Sequence, residues 1–271
     1  MSIERVRSHY GFSRMPFSKD LAPGMLHLHR SHQEAVARIS WCVAEQAIGV
    51  VTGECGSGKT VAARAALSAL DASRHTVVYL GTPGVGTRGT YSAIVSALGA
   101  TPHFHLASLI PQAQDMLLAE ATERGKSVVV TCDEAHLVSP ETLEGLRCLA
   151  NAGMDQSSPF CLLLLGQPTL RRRLKMGPSV ALDQRVSLRY AMAGMDAAEC
   201  ASYVRHHLSI AGRSDTIFSD DALGIVHQVS RGLPRLVNNL AVQCLVAAYA
   251  VKKSVVDESA ARAAVAEVSA E

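Results

Sequence analysis

With 48% hydrophobic and 18% charged residues among its 271, the chain can bury one substantial core and a small second one, which excludes a disordered or fibrous protein. A net charge of +2 leaves no global field to steer nucleic acid, so any such contact must come from a local patch. The start, Met1-Ser2-Ile3-Glu4-Arg5, lacks the apolar segment of a signal peptide. The longest apolar stretch, 240–251, is interrupted by Gln243 and falls short of the ~20 residues of a membrane span. The cysteines (Cys42, Cys55, Cys132, Cys148, Cys161, Cys200, Cys244) form no C-x-x-C pair and no Cys/His metal spacing. Reduced thiols, a cytoplasmic location and no membrane partner are the expectation.

In chain order, short apolar runs alternate with helical patterns. Residues 48–52, 76–80, 127–131 and 160–165 are too short for helices and apolar on both faces, as buried parallel strands are. A weaker fifth strand is predicted at 186–190. Between the second and third strands, Gly81–Gly89, with four glycines, Pro83 and Arg88, reads as a flexible loop. Ser139-Pro140 marks a helix start. Beyond Tyr190 the strands stop. Asp196 and Glu199 form a capping-box pattern, Ser219 caps a segment with Ala222, Ile225, Val226 and Val229 on one face, Pro234 suits a helix N1 position, and Asp257 opens a last Ala-rich helix. This predicts an α/β domain over 1–191, a parallel sheet sandwiched by helices, followed by a small all-α domain over 192–271.

Gly53-Glu54-Cys55-Gly56-Ser57-Gly58-Lys59-Thr60 matches G-x-x-x-x-G-K-[ST] in full, after a predicted strand and at the start of a predicted helix. The glycines let backbone N–H groups curl around phosphate oxygens, and the helix N-terminus adds partial positive charge. Lys59 is placed to reach the β and γ phosphates of ATP, and the Thr60 hydroxyl to complete a Mg²⁺ shell. Asp133, at the end of the strand 127–132, is the candidate metal-holding acid, and Glu134 beside it the candidate to polarise water; the alternative is that both cap the next turn.

With these residues in place the chain resembles the AAA+ superfamily of P-loop NTPases, and within it the TnsC/TniB transposition-regulator and ExeA secretion-ATPase group. Beyond the P-loop, four stretches carry the resemblance in the group's order: Tyr10-Gly11-Phe12 with Met15-Pro16-Phe17, then Leu163-Leu164-Leu165-Gly166-Gln167-Pro168, Leu182-Asp183-Gln184-Arg185-Val186, and 230–238 around Arg235. The resemblance implies that the helical domain is a lid, and that Gln167 senses the γ-phosphate or orients water, unless it is a turn residue before Pro168. It makes Arg235 a sensor, with Arg231 as competitor and a plain surface arginine as alternative. Arg185, or Arg189 in its place, becomes an arginine finger acting from a neighbouring subunit, unless it forms a surface ion pair.

The same resemblance implies a homo-oligomer, ring or helical filament, that assembles on duplex DNA and recruits or activates a transposase. Arg88, flanked by Thr87 and Thr90, would then meet the DNA backbone. The basic run 171–175 is a solvated helix face or a contact with DNA or a partner subunit. An ExeA-type secretion ATPase is the other reading; those proteins add a transmembrane segment and a periplasmic wall-binding module, and the end of this chain at Glu271 favours the DNA-bound one. A nucleotide-timed scaffold is a third. Tyr10, Phe12 and Phe17 pack either on adenine or in a core. The histidines show no metal spacing; His136, two residues past Glu134, is placed to line the site, though nothing in the sequence requires it.

Overall fold

The computed structural model describes residues 3–18, 21–151 and 158–269. In chain order, α1 (Ile3–Tyr10) and α2 (Arg30–Ala44) precede β1 (Ile48–Gly53), and α3 (Lys59–Ser68) leads to β2 (His75–Leu80). Helices α4 (Gly86–Ala97) and α5 (Leu106–Thr122) lead to β3 (Ser127–Cys132), and α6 (Pro140–Leu149) to β4 (Phe160–Gly166). Next come α7 (Thr169–Leu174), α8 (Val180–Arg185) and β5 (Val186–Met192), followed by α9 (Ala197–Ile210), α10 (Asp220–Ser230), α11 (Pro234–Ala250) and α12 (Glu258–Ser269). Backbone contacts divide the chain into two compact units: Glu34–Cys55 with Lys59–Met192, and Met1–Gln33 with Gly56–Gly58 and Ala193–Glu271.

The first unit holds one parallel sheet in the order β2-β3-β4-β1-β5, built from all five expected strands. Every residue of β1 and β4 is buried. Alternation sends Val50, Val130, Leu162 and Leu164 into one core and Val51, Val129, Leu163 and Leu165 into another, so apolar residues are needed at every position. The outer strands β2 and β5 are buried only in part, which is why β5 reads weakly in sequence. Because β4 lies between β3 and β1, the C-terminal ends of these three strands stand side by side. That sheet edge is where a doubly wound fold puts its ligand.

The stretch expected as a flexible loop at 81–89 is ordered instead. A single 3-10 turn, Pro83–Val85, runs directly into α4, whose first turn contains Thr87 and Arg88. Gly86, at φ +66°, makes the left-handed turn that a Cβ would strain. Tyr91, Ile94 and Val95 then bury a stripe at helical spacing, and Tyr91 Oη donates to Gly145 O at 3.0 Å. This apolar stripe outweighs the glycine content that suggested a loop.

The second unit is all-helical around Val204, Leu208, Val226, Leu240, Leu245 and Ala261. Its caps form as the residue types demand: Asp196 and Glu199 make a full capping box, Ser219 Oγ accepts from Ala222 N, and Pro234 opens α11. Residues 3–18 and 21–33, grouped by sequence with the α/β domain, pack with these helices. Tyr10, Phe12 and Phe17 sit in their core, Tyr10 donates to Leu245 O at 3.0 Å, and Phe17 stacks on His207 at 5.2 Å. Of the two alternatives for these aromatics, core packing is the one the fold adopts. Among the described residues, no helix is long and apolar enough to cross a membrane.

Candidate nucleotide site

The loop between β1 and α3 has the backbone that phosphate binding needs. Gly56 and Gly58 lie at φ +80° and +93°, and neither tolerates a Cβ without strain. A Cβ on Gly56 would also meet Arg235 Cβ at 2.6 Å. Lys59 opens α3 and is 6% exposed, its Nζ donating to Gly53 O at 2.9 Å and Glu54 O at 3.0 Å. The ammonium is therefore folded onto its own loop. Ser57 Oγ is fully buried without a hydrogen-bond partner among the described residues. An orphaned hydroxyl, a buried cation and two left-handed glycines within one turn fit a phosphate group.

The acids arrive from β3. Thr60 Oγ1 donates to Asp133 Oδ2 at 2.8 Å, so the P-loop and the β3 acid converge as expected. A hydroxyl beside a carboxylate is the hard-oxygen pair that suits Mg²⁺. Asp133 is 5% exposed and its Oδ1 accepts from Glu134 N at 2.8 Å. Glu134 follows in a left-handed conformation, φ 48°, which turns its side chain out of the strand while the backbone stays anchored. Its Oε2 stands 3.3 Å from His136 Nδ1, and its side chain is half-exposed. Ser139 N-caps α6 just beyond, so the acids themselves do not cap it.

Two further neighbours surround the acids, and the first of them was not singled out by sequence. Tyr79, on edge strand β2, donates from Oη to the same Asp133 Oδ2 at 2.9 Å, and its ring covers Gly81. Burial, with the Asp133 carboxylate, pushes its hydroxyl up to about 12, so it remains a donor at neutral pH. Its only sequence signal is the alternation of Val78 and Leu80 facing in against Val77 and Tyr79 facing out. His136 was noted but left without a role. It contacts Glu134, and its Nδ1 also accepts from Gln167 N at 3.4 Å, which joins the turn after β3 to the end of β4. Arg173, from the basic run 171–175, donates to His136 O and, at 2.6 Å, to Val138 O, so it braces this turn.

The remaining candidates separate. Gln167 sits just past β4 on the sheet edge that carries the P-loop. Arg185 does not. It precedes β5, whose first residue Val186 pairs with Ile48 at the start of β1, and it donates to Asn151 Oδ1 at 2.9 Å. Five strand residues at 3.2–3.4 Å each put it about 16 Å from Gly53, beyond an arginine's reach. Arg189 is paired to Asp183 Oδ1 at 3.1 Å and donates to Val186 O at 3.0 Å. In the helical unit, Arg235 is exposed in the first turn of α11, and its N–H donates to Gly56 O at 3.3 Å. Arg231 is the left-handed C-cap of α10.

Arg88 lies stacked 4.7 Å over the ring of Phe104, with Nε donating to Phe104 O at 2.9 Å. Thr87 Oγ1 meets Thr142 Oγ1 at 3.0 Å, and Thr90 Oγ1 donates to Gly86 O at 2.9 Å. These three residues thus spend hydrogen bonds inside the unit instead of lining a mobile loop. No group of His, Cys, Asp and Glu that could hold a metal by itself occurs among the described residues.

Residues 43–174 match the AAA domain family. The parallel sheet and the P-loop facing Asp133 agree with that match, which places a P-loop ATPase domain of the AAA type within residues 43–174. By sequence the chain is similar to general secretion pathway protein A of Aeromonas hydrophila, 33% identical over 244 residues, covering 89% of this chain and 44% of that protein. The chain thus spans less than half the length of that relative. By fold it is similar to the ORC2 protein of Aeropyrum pernix (TM-score 0.66, 16% identity, 93% of this chain and 70% of that one). It is also similar to the RuvB Holliday junction branch migration motor of Thermotoga maritima (TM-score 0.57, 18% identity, 86% and 67%).

Proposed function

We propose that this protein is an ATP-driven switch that hydrolyses ATP as a homo-oligomer, with each finger arginine serving the neighbouring subunit's nucleotide. The observation that carries this reading is the 2.8 Å contact of Thr60 with Asp133, with Glu134 next to it. Gly53, Glu54, Cys55, Gly56, Ser57 and Gly58 wrap the phosphates, Lys59 leaves its loop carbonyls for the β and γ phosphates, and Thr60 with Asp133 would hold Mg²⁺, which would supply charge neutralisation at the phosphates. Glu134 accepts the proton of the attacking water, and Gln167, at the end of β4, orients that water. Arg185, too far from its own P-loop, serves the next subunit, and Arg235, at the start of α11, reports the nucleotide to a helical lid spanning 192–271.

As for what the switch drives, the 33% identity over 244 residues supports a module of the kind found in general secretion pathway protein A. A second reading, assembly on duplex DNA as a regulator that recruits a transposase, draws on the motif order shared with the TnsC/TniB group. The surface that favours it is Arg88 stacked on Phe104, which is 75% exposed between His103 and His105. An exposed ring beside a guanidinium suits nucleic acid. One experiment addresses both parts: ATP turnover and sedimentation of wild type, Lys59→Ala and Glu134→Gln, each with and without duplex DNA. We expect Lys59→Ala to lose ATP binding and Glu134→Gln to accumulate an ATP-loaded oligomer. Normal turnover in Glu134→Gln would remove Glu134 as base. ATP-dependent co-sedimentation with DNA would favour the transposition regulator, and its absence the secretion-type module.

A further inference from the structure

We propose that His136 is a positioning residue that ties the Glu134 carboxylate to the end of β4, so that displacement of Gln167 decides whether Glu134 is held or released. The inference rests on the reading of Glu134 as the base. It starts from one ring nitrogen with two claimants. His136 Nδ1 lies 3.3 Å from Glu134 Oε2 and 3.4 Å from Gln167 N. An imidazole nitrogen is either a donor carrying a proton or an acceptor with a lone pair. The Gln167 N–H demands the lone pair; the carboxylate demands the proton. Both cannot be satisfied together.

The ring is not free to turn away from this conflict. Its side chain is 9% exposed, and Arg173 holds the carbonyls of His136 and Val138 on either side of Leu137. The strand end is equally close: a Cβ on Gly166 would stand 3.2 Å from His136 N. Glu134, by contrast, has an anchored backbone and a half-exposed side chain, and is the one member able to swing. In one state Nδ1 accepts the Gln167 amide proton, Nε2 carries the ring proton, and Glu134 faces a lone pair that does not retain it. In the other, Gln167 N has withdrawn, the proton has passed through solvent from Nε2 to Nδ1, and Glu134 is hydrogen-bonded to the ring. A shift at Gln167, the residue proposed to sense the γ-phosphate, is thereby converted into the positioning of the carboxylate, which is competent as a base when the ring holds it.

The test combines kinetics with a measurement independent of turnover. His136→Ala and His136→Gln are compared with wild type for kcat, for KM and for binding of a fluorescent ATP analogue, alone and on a Glu134→Gln background. We expect kcat of His136→Ala to fall at least about tenfold with analogue affinity within about twofold of wild type, and no further loss when Glu134 is already Gln. A purely structural role would weaken nucleotide binding in parallel or lower the Glu134→Gln background further, and either overturns the proposal. In wild-type protein labelled with ¹⁵N-histidine, the His136 Nδ1 signal, identified by its contact with the Gln167 amide proton, is expected to change between lone-pair and protonated character when a non-hydrolysable ATP analogue with Mg²⁺ replaces ADP. An unchanged signal sinks the switch even if neither variant folds. Full turnover in Glu134→Gln would instead sink the underlying assignment of the base, whereas an inactive Glu134→Gln beside a fully active His136→Ala sinks only the role of His136.

Discussion

Replacing Arg185 by alanine tests the oligomeric mechanism most directly, because the sheet register forbids the residue from reaching its own nucleotide. Val186 pairs with Ile48 at one edge of the sheet, whereas the P-loop leaves β1 at the other, about 16 Å away at the rise of a parallel strand. Within its own subunit Arg185 donates to Asn151 Oδ1, a part-buried side-chain contact. The loss in kcat is therefore expected to be roughly a thousandfold, the lower end of what arginine fingers supply, with nucleotide binding intact. The mixing assay makes the argument quantitative. Arg185→Ala subunits keep a working P-loop; Lys59→Ala subunits keep a working finger. If each interface is head-to-tail and assembly is random, an equal mixture places the right pair at about one interface in four, so turnover should recover to about a quarter of wild type. Each variant alone should stay inactive, and wild-type turnover per subunit should rise with protein concentration. Turnover independent of concentration, or no recovery in mixtures whose co-assembly is demonstrated by cross-linking, would refute action between subunits.

Tyr79→Phe keeps the ring over Gly81 but removes a donor that competes for Asp133 Oδ2, so the Mg²⁺ concentration that half-saturates nucleotide binding should fall, up to about fivefold for a hydrogen bond worth about 1 kcal/mol; a rise in a Mg²⁺ titration would reverse the reasoning. Gly232→Ala should destabilise the helical unit: the residue sits at φ +67°, a Cβ there would stand 2.0 Å from Met195 O, and its own carbonyl accepts from Met195 N at 2.9 Å. Left-handed strain of about 1–2 kcal/mol and the loss of one backbone hydrogen bond, about 1 kcal/mol, should lower the urea midpoint clearly, and an unchanged midpoint would contradict the close approach. Acidification should also destabilise the protein. Burial, with the neighbouring His32 and His206 charges, lowers His29 and His207 from the ordinary histidine range to about 4. The unfolded chain therefore binds protons that the folded one refuses. The stability these groups contribute is complete above the ordinary histidine range and is lost as pH falls from there toward 4, at up to about 1.4 kcal/mol per pH unit for each group. Denaturation midpoints that stay flat between these limits would place both rings in a wetter setting.

The five strands, the P-loop, the acid Asp133 that meets it and the helix caps were all legible in the linear chain, because each depends on near neighbours. Burial on both faces demands unbroken apolar runs, a phosphate turn demands glycines at fixed spacing, and a helix start demands an oxygen at its N-cap. β5 was faint because an edge strand is buried on one side only. What the tertiary structure alone decided depends on residues far apart in sequence. The N-terminal aromatics joined the C-terminal helices, whose core takes in Tyr10, Phe12 and Phe17. The glycines after β2 became a helix start because the stripe that follows them had a core to fill. Tyr79 and His136 acquired partners from β3 and β4 that no spacing encodes, and Arg185 was separated from its own P-loop by the length of a strand, a distance set by register between β1 and β5.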